Sequence, residues 1–467
     1  MSALSTYHDL IAAKRVTFSP RGLTSVPALN AAMFPHQAHS TDFALRTGAA
    51  ALFLDTGLGK SLCALDWGRV IVEATNKPVL MLAPLAVAGQ HEREAGKFGI
   101  DAKAIREAEV ISGPRVYITN YDRLDRFDAS QFAGVILDES SILKSFTGQT
   151  TKKLISTFAR TPYRLACTAT PAPNDHAELG THSEFLGALS QSQMLMRWFL
   201  HDSADTGTWR MKGHAVEDFW NWVASWARCV SRPSDLGFSD DGFVLPEMTL
   251  TKHVVEADRT TMAGEEKDGQ AKLFRIPETS ATSIHREKRM TIEARADKIA
   301  EIVAREPGEA WVIWCDTDYE ADALTDRIPH AVEVRGSMSA AVKEERITAF
   351  STGKAQIIIT KPSVAGFGLN WQHCARMAFV GLSFSYESFY QAVRRCWRFG
   401  QTRPVNVHVA MADTEAAIWD VVSRKSGDHD AMKAQMTLAM KRAAHRVSEI
   451  EDYTPQKKAA LPAWIAA

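Results

Sequence analysis

The sequence predicts an α/β protein made of two doubly wound parallel-sheet lobes, and three observations carry that expectation. Apolar runs of strand length alternate with helical patterns from residue 49 to about 167, and the alternation resumes from residue 291 to about 380. Strands and helices at this spacing form parallel sheets covered on both faces. The third observation is that the polar, glycine-bearing and acidic stretches stand just after apolar strands, at the edge where open α/β sheets bind ligands.

Taken in order, the first half predicts strands at residues 49–54, 79–83, 116–119, 135–137 and 163–167. Helical patterns follow from Leu62, from Pro84 through Phe98, and over about 150–159. From residue 176 to 230 the pattern turns helical and aromatic, with Trp198, Trp209, Trp220, Trp222 and Trp226 at spacings that favour a local core over a base-stacking platform. Residues 231–290 are rich in Pro, Gly, Asp and charge and read as a bridge, with one strand-like run at 250–255. The second half predicts helices at 291–304, 318–327 and 340–350 and strands at 311–315, 332–334, 357–360 and 377–380. The expected organisation is an N-terminal segment 1–30, a first lobe 31–230 with a helical insertion at about 176–230, the bridge 231–290, a second lobe 291–425, and a helical tail 426–467. A long helical pattern beyond Thr414 carries a basic face that includes Lys425, Lys433 and Arg442.

At 467 residues, 45% apolar and 23% charged, the composition is that of a soluble globular protein. No apolar run reaches the roughly 20 residues needed to span a bilayer, and no signal segment opens the chain, so a cytoplasmic monomer without a membrane role is expected. The 6 cysteines are scattered with no CxxC spacing, which argues against a zinc site or a disulfide framework. A net charge of -1 gives no global field toward nucleic acid, so such binding needs a local basic surface.

The candidate site begins with Leu52-Phe-Leu-Asp-Thr-Gly-Leu-Gly-Lys-Ser61, a strand that runs into a glycine turn and opens a helix. Gly57 and Gly59 let the backbone approach a polyphosphate, whose charge is met by helix N-terminal amides, by Lys60 and by a magnesium ion on Ser61. The full GxxxxGK[ST] pattern fails at its first position, where Leu54 stands. The second part is Gly134-Val-Ile-Leu-Asp-Glu-Ser-Ser141, whose strand delivers Asp138 to hold magnesium through water and Glu139 to orient or deprotonate the attacking water. Upstream, Phe34-Pro-His-Gln37 offers a carboxamide that could pair with adenine. In the second lobe, glycines follow a strand in residues 364–371, and residues 391–401 place Arg394, Arg395 and Arg398 on one expected helix, with Arg395 and Arg398 sharing a face.

These blocks, in this order, resemble the SWI/SNF-type branch of helicase superfamily two, in a compact form of bacterial or phage type. The resemblance spans roughly residues 34–411. DTGLGKS is similar to DEMGLGKT, ILDESS to ILDEAH with Ser140 and Ser141 in place of Ala and His, TATPAPN to TGTPxxN, VAGFGLNW to AGGxGLNL, and QAVRRCWRFGQ to QxxxRxHRxGQ with Trp397 in place of His. It implies two RecA-like lobes closing over ATP and Mg2+. The implied nucleotide contacts are Gln37, Thr56, Gly57, Leu58, Gly59, Lys60, Ser61 and Gly368, with Ser61 and Asp138 on the metal, Lys60 and Glu139 in catalysis, and Arg395 and Arg398 as arginine fingers. It further implies a DNA-stimulated ATPase tracking duplex or branched DNA, gripped by turns at Pro84, 168–170 and 361–368, with RNA left open. Two rivals stand beside this reading: a strand-separating helicase and a noncatalytic nucleic-acid clamp.

Overall fold

The computed structural model describes residues 17–84, 87–108, 111–201, 209–256, 281–365 and 369–452. Its first sheet takes β1 (Ala49–Leu54), β2 (Val79–Ala83), β3 (Ala102–Ala104), β4 (Val116–Asn120), β5 (Gly134–Asp138) and β6 (Tyr163–Cys167). After a small antiparallel hairpin of β7 (Phe199–His201) and β8 (Trp209–Met211) comes β9 (Ala227–Val230), which returns to the first sheet. The seven strands lie in the order β3-β4-β2-β5-β6-β1-β9, all parallel. Every residue of β1 is buried, as a strand covered on both faces requires. Ala50, Leu52 and Leu54 face a core shared with the helix Lys60–Thr75, while Ala49, Ala51 and Phe53 face the insertion.

The insertion is a core, in line with its spacing: Trp198 stacks on Trp222 at 4.6 Å between centroids, and both are about 1% exposed. It does not stay helical to residue 230, because β9 pairs with β1 in parallel. That pairing joins segments far apart in the chain, and no local period announces it.

The second sheet contains β10 (Met248–Val255), β11 (Trp311–Trp314), β12 (Val332–Val334), β13 (Ile357–Thr360), β14 (Arg376–Phe379) and β15 (Val405–Ala412), ordered β10-β15-β14-β11-β13-β12 and again parallel. The strand-like run expected inside the bridge is therefore the edge of the second sheet, held by eight residue pairs from Met248↔Val405 to Val255↔Ala412. The helices Ile292–Ala304 and Asp318–Arg327 cover one face. The helix Tyr386–Val393 and the start of the helix Ala416–Asp452 cover the other. No helix among the described residues is long and apolar enough to cross a membrane.

Candidate nucleotide site

The phosphate turn forms where β1 stops and the helix Lys60–Thr75 begins behind Gly59. Gly57 and Gly59 adopt φ of 94° and 82°, a region a Cβ disfavours. Both also face close neighbours. A Cβ on Gly57 would stand 2.8 Å from Phe399 Cβ, and one on Gly59 would overlap the Gln37 amide. Glycine is needed for the shape of the turn and for the approach of the second lobe. Lys60 Nζ is held by its own loop, donating to the Leu54 carbonyl at 2.8 Å.

Gln37 is buried and tied to this turn. Its Nε2 donates to the Leu58 carbonyl at 3.0 Å, and its Oε1 accepts from Phe34 N at 3.0 Å. These two bonds use one N–H and one lone pair of the carboxamide, which has two of each. The Leu58 side chain turns into the core, so this residue acts through its backbone.

β5 delivers the carboxylates. Asp138 Oδ2 lies 2.8 Å from Nε2 of His91, on the helix Ala88–Lys97, and the Asp138 carbonyl accepts from Tyr121 Oη at 2.6 Å. Burial works against the ionised carboxylate, but the His91 and Lys60 cations outweigh it and hold Asp138 below its ordinary range. Glu139 has φ of 53°, a left-handed conformation that marks a constrained site in a non-glycine residue. Burial pushes its carboxyl up to about 7, opposed by Lys60 and aided by Asp138. Ser140 Oγ lies 3.1 Å from His182 Nε2, both fully buried, so the first departure from the DEAH pattern is filled by a histidine from elsewhere in the lobe.

Opposite stand Arg395 and Arg398. The helix Tyr386–Val393 ends before them, so the three arginines expected on one helix lie in the turns that follow it. Loop contacts divert the chain: the Arg395 carbonyl accepts from Trp371 N at 3.0 Å, and the Cys396 carbonyl from Gln401 Nε2 at 3.3 Å. Even so, the two guanidinium groups converge, each donating to the Leu369 carbonyl.

The result is a cleft of about 390 Å³. Lobe one supplies Gln37, Thr56, Gly57, Gly59, Lys60, Ser61, Asp138 and Glu139, and lobe two supplies Arg395 and Arg398. Gly368, the remaining expected contact, lies outside the described residues. The Asp138 carboxylate and Ser61 hydroxyl are hard oxygen donors in one cleft, the set that suits magnesium.

Residues 294–400 match the family model described as helicase conserved C-terminal domain, an interval that holds Arg395 and Arg398. The second lobe is helicase-like. Among solved structures, the Sulfolobus solfataricus SWI2/SNF2 ATPase core in complex with dsDNA aligns over 93% of this chain and 100% of its own, at 16% identity and a TM-score of 0.41. No curated protein matches the sequence.

A second cavity, of about 490 Å³, lies on the other side of Glu139 between lobe one and the helicase-like lobe. It brings Pro84 together with Lys144, Pro362 and Ser363, and Lys144 Nζ reaches Glu387 Oε2 of the helicase-like lobe at 2.6 Å. The turn at 168–170, expected to grip nucleic acid, is not on this surface. Thr168 and Thr170 are 0% exposed, and Thr168 Oγ1 points to Glu139 Oε2 at 3.5 Å. A threonine at the end of a central strand is enclosed by its neighbours, and its place is beside the carboxylate.

His91 and Phe243 stand outside the motifs of the sequence, and Phe399 lies within one without an expected role; the two phenylalanines pack with Phe34, which lines the cleft. Phe34, Phe243 and Phe399 come from lobe one, the bridge and the helicase-like lobe, with Phe243 and Phe399 stacked at 4.7 Å and Phe34 edge-on to Phe243 at 5.1 Å. A lone histidine in a helix and single phenylalanines at 243 and 399 carry no local signal.

Proposed function

We propose that this chain is an ATP-driven motor of SWI/SNF type that hydrolyses ATP while moving along duplex or branched DNA. The observation that carries the reading is the split cleft: Lys60, Asp138 and Glu139 come from one lobe and Arg395 and Arg398 from the other. A site divided in this way ties chemistry to the relative position of the lobes, which is what a motor requires.

ATP enters with its polyphosphate over the turn at 56–61 and its base toward Phe34 and Gln37. Lys60 leaves the Leu54 carbonyl for the β- and γ-phosphoryl oxygens, where its charge offsets theirs. Magnesium, held by Ser61 and through water by Asp138, would neutralise charge on the same oxygens. Glu139, with its carboxyl near 7, is suited to take a proton from the attacking water. Arg395 and Arg398 stabilise the charge that develops on the transferred group and swing with their lobe when the products leave.

DNA lies across the lobes at the second cavity, where Pro84, Lys144 and the Pro362 turn meet the backbone. Phosphate contacts of this kind position a duplex without reading its sequence, as a translocating enzyme needs. ATP turnover measured in parallel with duplex, single-stranded, forked DNA and RNA tests the reading. Duplex should stimulate most and base sequence should matter little. No turnover with any of the four would leave a noncatalytic clamp.

A further inference from the structure

The helix Ala416–Asp452 does not remain with the lobe in which it starts. Ile418 and Val422 are buried in the core around β15, whereas Met432, Met436, Ala439 and Met440 are buried in the lobe-one core beside Trp222 and Trp226. The lobe-one end is fixed further by a Cys229 N to Met440 Sδ contact of 3.4 Å and an Arg442 to Glu217 ion pair of 3.4 Å. Apolar anchors at both ends make the helix a strap across the two lobes.

Two lysines of the strap add polar contacts, one between the anchors and one beside Met432. Lys425 Nζ donates to Asn174 Oδ1 at 2.8 Å and to the Phe384 carbonyl at 3.2 Å. Lys433 Nζ donates to Asp55 Oδ2 at 3.0 Å, and Asp55 opens the phosphate turn. The same oxygen accepts from Arg394 at 2.9 Å, while Asp55 Oδ1 accepts from Thr56 N at 3.0 Å. Asp55 is 5% exposed and Arg394 8%, so the contacts are nearly free of solvent screening. Both cations are seated on aromatic faces, Arg394 over Trp397 at 4.5 Å and Lys433 over Tyr390 at 5.3 Å. Arg394 is the chain neighbour of Arg395, so the carboxylate fixes where the arginine segment stands relative to the turn.

We propose that Lys433 is a positioning residue of the nucleotide site, acting from the strap through Asp55 to hold the phosphate turn in register with the arginine segment. The turnover consequence rests on the motor reading; the holding of the turn does not. Losing the ammonium leaves Arg394 as the one side-chain donor on Asp55 Oδ2 and frees one side of the turn. Nucleotide still finds Lys60 and the turn amides, but the arginines no longer meet it at the right place. A misplacement near 1 Å can cost about 100-fold in rate.

The test uses the full chain with Lys433→Met and Lys433→Arg. Hydrogen exchange of amides 55–61 without nucleotide reads the turn directly. Exchange should rise in Lys433→Met and return to the parent level in Lys433→Arg. In steady-state turnover, kcat should fall by about 10- to 100-fold in Lys433→Met with KM for ATP within roughly threefold of the parent, and Lys433→Arg should recover most of the loss. Unchanged exchange at 55–61 in Lys433→Met overturns the proposal. So does a variant that only melts earlier, with parent kcat per folded molecule. If the parent itself turns over no ATP, the motor reading fails, and the exchange data still decide the role of Lys433.

Discussion

Arg395 and Arg398 donate to one acceptor, the Leu369 carbonyl, at 3.1 and 3.2 Å. Arg395 also donates Nε to the Gln391 carbonyl, so both cations rest on neutral acceptors and are under-compensated; the carboxylates that act on them are Glu139 for Arg395 and Glu94 for Arg398. A developing phosphoryl charge is a better partner than a carbonyl. Arg398→Ala should therefore lower kcat by a factor on the order of 1,000 while nucleotide affinity changes much less. Equal losses in turnover and in binding of a fluorescent ATP analogue would make Arg398 a binding or structural residue.

Lys60→Ala removes the cation assigned to the β- and γ-phosphoryl oxygens and should abolish hydrolysis with the fold intact, as read by circular dichroism and ATPase assay. Glu139→Gln keeps the shape of the residue and should still bind ATP while turning over far more slowly. Near-parent turnover in either variant under saturating DNA contradicts the site.

His91 orients the carboxylate assigned to magnesium through its 2.8 Å contact with Asp138. Partners of metal ligands are commonly worth 10- to 100-fold in affinity. His91→Ala should raise the half-saturating magnesium concentration for ATP turnover by about tenfold. An unchanged magnesium titration would reduce His91 to a packing residue.

His182 is fully buried against Ser140, and burial pulls its pKa down to about 4 from an ordinary 6.5. The unfolded chain takes up this proton below about pH 6.5 and the folded chain only near pH 4. Stability from this group is thus full above 6.5 and is lost as pH falls between the two values. Between pH 7 and pH 5 the loss is about 2 kcal/mol. Urea unfolding should show a smaller pH 7 to pH 5 difference for His182→Gln than for the parent. Equal differences would place the titration elsewhere.

The parts of the fold and site that were legible in sequence are those whose residues are neighbours in the chain. The phosphate turn, the Asp138-Glu139 strand end and the strand-helix alternation each follow from local period and turn chemistry, and the cleft gathers the residues they point to. What local pattern could not give is pairing at a distance. β9 and β10 join their sheets through partners far along the chain, the arginine helix stops because Trp371 and Gln401 take its carbonyls, and Thr168 is enclosed by neighbouring elements. His91 and Lys433 belong to the same class, since each matters only through a carboxylate that another segment supplies.

The most direct test of a duplex-tracking motor is displacement of a third strand from a triplex on blunt linear DNA, measured with and without ATP. Such a motor displaces the third strand only with ATP, has its ATPase stimulated by the same blunt duplex in a way that weakens steeply with added salt, and separates an ordinary blunt duplex poorly. Stimulation by single strands alone, with no triplex displacement, would contradict it and leave the strand-separating helicase in its place.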